Sequence, residues 1–404
     1  MKKHLLLLFS LLISLGAWAQ RTVVSGTVVS EATGEALAGA SVVAGGVTVV
    51  TNDDGFFTLK SDSALVAVTV SYVGYRSQRV ELKERRTDGL TVALRPTAIQ
   101  LREVLVMGGD ARDLVMTAIE KIPRNYSRQP ERYHCFYRET AMKRQHFICV
   151  AEGVVDMYKT SYDRGTARDR VAIHKGRRLL SSRQSDTLTV KVLGGPVLPV
   201  QLDLVKNTDF LLNAEDLADY DMQMDVPTSI GDRMQYVVSL SPRVVKPYAL
   251  FFGKLYIDQE TLAFTRIELS LDVSDPVKAT QAMLYKKPVG VRFRPKEMSI
   301  LVDYRYDEGV MHISYLRTTF RFNCDWKRRL FATSFTACCE MAVTGRSPGE
   351  DKPIRGRDSF DQRDAFFDKV DYFRDPVFWQ DYNIIEPTIS LDRAIGRLLK
   401  RMNN

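Results

Sequence analysis

The sequence predicts a mainly β protein, a small β-sandwich followed by a large curved antiparallel sheet with a few helices. Three observations carry this. Segments of alternating apolar and polar residues recur from Val23 to Met341. Turn signals such as Asn52-Asp53-Asp54-Gly55 separate them. An apolar helical period is confined to short stretches, chiefly 110–122 and 390–401. The chain has 404 residues, 57 Lys+Arg against 49 Asp+Glu, and a net charge of +8; 45% of residues are hydrophobic and 26% charged. That composition excludes a disordered or fibrous chain, and domains of about 100–200 residues predict two or three of them.

Residues 1–19 read as a cleaved signal peptide. A cationic start, the apolar run from Leu5 to Leu15 and Ala17-Trp18-Ala19 before Gln20 are its three parts. Without Lys2 and Lys3 the balance is 55 against 49, or +6, which calls for no nucleic-acid partner. No later stretch reaches transmembrane length without charges. The expectation is an exported protein of the periplasm or outer-membrane surface, with peripheral membrane contact at most.

Residues 23–95 form the first unit, with strands expected at 23–29, 40–44, 47–51, 56–59, 64–72 and 78–82. Val66, Val68 and Val70 keep a clean period of two, so one face is buried. Short strands spaced by turns indicate a sandwich. Gly26-Thr27-Val28-Val29, Thr33-Gly34-Glu35-Ala36-Leu37-Ala38-Gly39-Ala40-Ser41-Val42, Thr51-Asn52-Asp53-Asp54-Gly55-Phe56-Phe57 and Val70-Ser71-Tyr72-Val73-Gly74-Tyr75 follow in order. This unit resembles the carboxypeptidase regulatory-like domain of Bacteroidetes envelope proteins. The resemblance implies a transthyretin-like sandwich without peptidase chemistry. None of the five histidines sits in an H-x-x-E, so the ligand pair of a zinc carboxypeptidase is absent from the sequence.

Residues 96–129 are expected to be an extended linker, Leu101 to Met107, and a helix from Asp110 to Ile122 stopped by Pro123. The extended stretch resembles one that follows this domain in TonB-dependent receptors and in a second group of envelope proteins. The remaining chain is too short for a receptor barrel of roughly 22 strands, each about 9–11 residues long.

Residues 130–344 are expected to form a curved antiparallel sheet, with strands at 147–157, 234–240, 251–258, 263–273, 292–306, 310–322 and 330–341. Ile267, Leu269 and Leu271 alternate with Glu268 and Ser270, so one face is dry and the other wet. In 310–322 Met311, Ile313 and Tyr315 keep one parity and Leu316, Phe320 and Phe322 the other, which predicts a bulge or a sharp bend. The sixteen residues Gly253 to Glu268 resemble a hairpin of the lipoprotein-carrier fold, an incomplete barrel that can hold an acyl chain. Residues 118–124 and 133–139, His174-Lys175-Gly176-Arg177-Arg178, Gly194-Gly195-Pro196 and Asp203 to Asn207 resemble, in this order, the second envelope group, whose function is unassigned. Residues 345–404 are expected to be a surface loop (345–364), an aromatic segment (370–383) that packs on the sheet, and a C-terminal helix (390–401).

Candidate sites are few. Arg164, Arg168, Arg170, Lys175, Arg177, Arg178 and Arg183 form the most basic stretch. They read either as an anion-contact patch for lipid head groups or acidic glycans or as a solvated loop and strand face. Cys135 with Cys149, and Cys324 with Cys338, are the disulfides that neighbouring strands would allow; Cys338 and Cys339 point to opposite faces. His134 and Cys135 also point apart, so they make no nucleophile pair, and the serines lack a nucleophile elbow. Asp53-Asp54 sits in a turn, where caps and turn bonds explain it. No catalytic residue, cofactor or metal is expected. Three readings follow. The first is a non-catalytic envelope protein that binds a protein partner or an apolar or glycolipid ligand, and it predicts an apolar concavity. The second is a scaffold or accessory subunit of an outer-membrane assembly or TonB-linked uptake complex, and it predicts a filled sheet interior. The third is an enzyme, and it predicts pKa-shifted groups converging in a cleft.

Overall fold

The computed structural model describes residues 21–97, 110–181, 193–284, 290–326, 331–348, 352–372 and 378–402. The leader, the extended stretch expected at 101–107 and Arg183 lie outside the described residues. Strands β1 (Thr22–Ser30), β2 (Ser41–Ala44), β3 (Val47–Val50), β4 (Phe56–Ser61), β5 (Ala67–Ser71), β6 (Gln78–Glu81) and β7 (Arg86–Leu94) make two sheets, β4-β1-β7 and β3-β2-β5-β6. Every second residue of β1 is buried. Val24, Val28, Phe57, Leu59, Val68, Val70 and Val92 meet in the sandwich core. Strand β7 has no counterpart among the expected strands, because its first half is charged and only Val92 and Leu94 are buried.

The second unit is one eleven-stranded sheet. Its members are β8 (Glu131–Lys143), β9 (His146–Lys159), β10 (Arg170–Leu180), β11 (Tyr220–Ile230), β12 (Arg233–Pro242), β13 (Phe251–Asp258), β14 (Phe264–Leu271), β15 (Val291–Asp307), β16 (Val310–Trp326), β17 (Thr333–Pro348) and β18 (Asp371–Tyr372). The order is β11-β12-β13-β14-β15-β16-β17-β8-β9-β10-β18, and β11 and β18 do not pair, so the barrel stays incomplete. All neighbours are antiparallel except β10 and β18. The edge at β11 is shielded. Its register shifts around Pro227, and the sandwich residue Gly74 donates its N–H to the Ser229 carbonyl at 2.8 Å; a proline, a bulge and a covering loop keep an edge from pairing with another chain.

The parity change resolves as a bulge. Asp303 pairs with Tyr315 and Tyr304 with Ile313, leaving Ser314 as the extra residue; Ile313 and Leu316 thereby enter one core. Strand β17 runs to Pro348, so the start of the loop expected at 345–364 belongs to the sheet. The rest of that stretch is not purely surface either, since Ile354 and Phe360 are buried.

Helix α1 (Ala111–Glu120) is capped by Asp110, which accepts the Arg112 N–H at 2.9 Å; α2 (Ile122–Asn125) follows it directly. Further on lie α3 (Leu198–Gln201), α4 (Ala214–Leu217), α5 (Pro276–Met283), α6 (Phe366–Lys369) and α7 (Ile389–Met402). One face of the sheet carries Leu255, Ile257, Ile267, Leu269, Ile300, Val302 and Met341. It is covered by Val115 and Ala118 of α1, Ile122 of α2, and Val200, Leu204, Leu212 and Leu217. Two enclosed ion pairs pin this cover: Lys159 to Asp203 at 2.6 Å and Lys206 to Asp169 at 2.8 Å, with the Tyr304 hydroxyl donating to Asp203 at 2.8 Å. Burial lowers the Lys206 ammonium to about 8, helped by the nearby Lys159 charge. The apolar concavity expected of a carrier is therefore occupied by the chain itself.

None of the five cysteines is in a disulfide. Cys135 pairs with Val155 and Cys149 with Ala141, several residues apart along β8 and β9. Cys324 faces Thr333 and Cys338 faces Thr319. Neither expected disulfide forms. Cys339 is buried and Cys338 half-buried, as opposite faces require.

Candidate functional site

The other face of the sheet builds a cleft. Strands β13 to β17 and β8 project polar side chains at alternate positions: Lys254; Arg266, Glu268 and Ser270; Glu297 and Ser299; Arg317, Thr319 and Arg321; Thr336, Cys338 and Glu340; Arg138 and Thr140. The sandwich contributes Asn52 and Asp53, and the C-terminal segment contributes Ile385, Glu386, Thr388 and Leu391. Together they enclose about 830 Å³. Phe147 and Phe252 are the aromatic members, and no histidine, tyrosine or tryptophan lines the cleft among the described residues.

The cations of the cleft have partners. Arg317 forks onto Asp53 at 2.6 and 3.1 Å. Arg266 meets Glu268 at 2.6 Å and Asp303 at 3.2 Å, and Lys254 meets Asp225 at 2.6 Å. Arg321 and Glu297, 3.3 Å apart, are the most exposed pair. Burial, reinforced by Glu340, pushes the Cys338 thiol up to about 12, so it is not an activated nucleophile.

The walls are fastened by one turn and one carboxylate. In the turn between β3 and β4, Asn52 Oδ1 accepts the N–H groups of Asp54 and Phe56 at 3.0 and 2.9 Å. Asn52 thus holds the turn with Gly55, whose φ is +75°, and both aspartates are free to reach outward. Asp53 takes Arg317, and Asp54 accepts the Ile389 N–H at 2.6 Å, capping α7 from another part of the chain. Asn52 Nδ2 donates to the Pro387 carbonyl at 2.9 Å, and Lys60 donates to the carbonyls of Trp379 and Tyr382 at 2.9 and 3.0 Å. Asp54 is thus a cap, as expected of an acid in this turn, while the Asp53 pair with Arg317 goes beyond caps and turn bonds. The sequence signal lay in the redundancy, three side chains competing for the work of one. On the sheet side Glu152 receives Arg138, Arg177 and the Trp379 indole N–H, at 2.9, 3.0 and 2.9 Å. Burial alone would raise this carboxyl, but Arg138 and Arg177 hold it below the ordinary value.

The predicted basic patch does not converge on one surface. Lys175 donates to the Phe378 carbonyl at 2.9 Å and lies 4.0 Å from that ring's centroid. Arg177 is held by Glu152, and Arg178 donates to the Phe367 carbonyl at 2.6 Å. Arg170 donates to the carbonyls of Ala167 and Asp169, both at 2.8 Å. Arg164 and Arg168 are exposed. The aromatic segment does pack on the sheet, with Trp379 edge-on to Phe136 at 5.6 Å. His134 contacts Asp156 at 2.8 Å and Ser347 at 3.1 Å, whereas Cys135 faces the apolar core and burial raises its thiol. Among the described residues, no group of three His, Cys, Asp or Glu could hold a metal.

No curated protein matches the chain. Three solved structures are similar at low identity. A DUF1329 family protein from Desulfovibrio piger ATCC 29098 is 8% identical, with 60% of this chain and 95% of that one covered and a TM-score of 0.26. A domain named for outer membrane lipoprotein sorting, from Vibrio parahaemolyticus, is 7% identical, with 62% and 97% covered and a TM-score of 0.26. A membrane-associated protein of unknown function from Bacteroides fragilis NCTC 9343 is 10% identical, with 81% and 98% covered and a TM-score of 0.16. Residues 24–106 match the CarboxypepD_reg-like domain family, so the chain carries that domain ahead of its strand-rich unit.

Proposed function

We propose that this is a non-catalytic binding protein of the cell envelope, which takes an extended segment of a partner protein into the cleft. The observation that carries this reading is the lining itself. Paired charges of both signs and hydroxyls alternate along neighbouring strands beside the apolar Met142, Phe147, Phe252, Leu301, Ile385 and Leu391, a surface that suits the mixed polar and apolar groups of an extended peptide. The absence of tyrosine and tryptophan from the described lining counts against a sugar-stacking site. The filled apolar face counts against an acyl cargo. Charges satisfied by one another, and a thiol with a raised pKa, favour binding over catalysis. Export is supported by the leader pattern of residues 1–19, and among the described residues no helix is long and apolar enough to cross a membrane.

A second reading, a scaffold or accessory subunit of an outer-membrane assembly, is favoured by the clasp through Asn52, Asp53 and Asp54, which holds the sandwich against the sheet. The test is a photo-reactive benzoylphenylalanine placed at Ser299 in the cleft and, as a control, at the exposed Lys83. Irradiation of intact cells should give a protein adduct of discrete mass from position 299 alone. No adduct, or one containing only lipid or glycan, would overturn the peptide-cleft reading.

A further inference from the structure

We infer that one end of the eleven-stranded sheet docks on an anionic lipid surface through two adjacent loop tips. The β12–β13 connection exposes Val244 and Val245, the latter at 89%, and Tyr248 at 50%; the start of α5 exposes Val277 at 68%. The two tips are neighbours, because Asp272, just before α5, donates its N–H to the Leu250 carbonyl at 2.8 Å. Single exposed apolar residues are ordinary, but several gathered on adjacent tips at one end of a sheet are not.

Three features point to lipid rather than to a protein. The first is shape. These residues sit on separate projecting tips, whereas a stable protein interface buries about 800 Å² on each partner over a continuous surface; a bilayer accepts such protrusions between head groups. The second is charge. Val244 and Val245 lie between Arg243 and Lys246, and Val277 precedes Lys278. The two acids beside the second tip are engaged in local caps: Asp275 accepts the Val277 and Lys278 N–H groups at the start of α5, and the exposed Asp272 accepts the Ser274 N–H. Apolar tips with basic flanks fit the interface of an anionic leaflet, whose negative surface potential attracts basic residues near it. The third is rigidity. Arg243 donates to the carbonyls of Asp219 and Ala218, at 2.9 and 2.8 Å, and Lys246 lies 2.8 Å from Asp219. The base of the first loop is braced while its tip is free, so little ordering entropy is lost on insertion. The turns at the opposite end, around Asp232, Glu260 and Glu308, are polar and acidic.

The inference shares only its exported setting with the cleft reading, and its test does not use the cleft. The purified protein is sedimented with vesicles of phosphatidylethanolamine and phosphatidylglycerol, and separately with pure phosphatidylcholine. Binding is expected to the first, weakened by salt, and to be much weaker to the second. The double substitution Val245→Asp with Tyr248→Asp should reduce binding at least about tenfold, since it replaces inserted apolar area by charge, and should leave the melting temperature unchanged. In Val245→Trp the emission of the new indole should shift to the blue when the anionic vesicles are added. Absence of vesicle binding, undiminished binding by the double variant, or an unshifted indole would each overturn the inference. So would a protein that binds these tips in the absence of lipid. Cross-linking at Ser299 should survive the double substitution, which keeps the two proposals separable.

Discussion

The two faces of the large sheet are made from alternate residues of the same strands, yet they end in opposite conditions. In β14, Ile267, Leu269 and Leu271 are sealed by the chain's own helices and turns, whereas Arg266, Glu268 and Ser270 border a cleft. Alternation reports that one face avoids water, and it is silent about what covers either face. Here both are covered. The apolar cover fills its face, and the polar cover, made by the sandwich and the C-terminal segment, spans a gap.

The largest expected effect lies in the pins of the filled face. Asp203→Ala leaves Lys159 enclosed without its nearest partner and should cost about 3–5 kcal/mol in urea unfolding at pH 7. Leu255→Ala, at a fully buried position, should cost about 2–5 kcal/mol in the same measurement.

Glu139 sharpens the comparison by pH. It is enclosed, bonded only to the Tyr137 hydroxyl at 2.7 Å, and burial raises it from 4.5 to about 7, with Asp368 adding to the shift. Because the folded value is the higher one, this burden is absent below about pH 4.5 and complete above about 7. The 2.5-unit gap, at ~1.4 kcal/mol per unit, is on the order of 3 kcal/mol. Glu139→Gln should therefore raise the melting temperature at pH 8 and leave it nearly unchanged at pH 4.5; an equal gain at both would show that ionisation is not the cause.

Arg317→Ala should cost only about 0.2–1 kcal/mol, since its pair with Asp53 is partly exposed, and a double-mutant cycle with Asp53→Ala reads that coupling directly. Thr319→Ala, in the cleft, should stay within about 0.5 kcal/mol. A cost equal to that of Leu255→Ala would break the distinction between a packed face and an open one.

The fold was more legible than the site. Strands β14 and β15 showed a clean period, and the bulge at Ser314 in β16 left its mark as a change of parity. Strand β10 was hidden by its run of basic residues, and β11 by Pro227 and two aspartates. The seven-residue basic patch was real as composition, but strand geometry splits it. Lys175 and Arg177 turn toward the aromatic segment and Arg178 toward α6. The cleft was illegible because its lining comes from eight strands, a sandwich turn and the segment after residue 384. Each strand separately looks like an ordinary wet edge of alternation.

The clasp joins residues that are very far apart along the chain. Arg21 contacts Asp381, Asn52 reaches Pro387, Lys60 reaches Trp379 and Asp54 caps Ile389, all at separations above 300 residues. Such contacts close loops of more than 300 residues, and the closure entropy must be offset by the bonds that hold them. The segment at 378–402 is a buckle. Without it the sandwich turn and the sheet would face each other with one wall of the cleft missing, so the cleft is a property of tertiary closure and of no single unit.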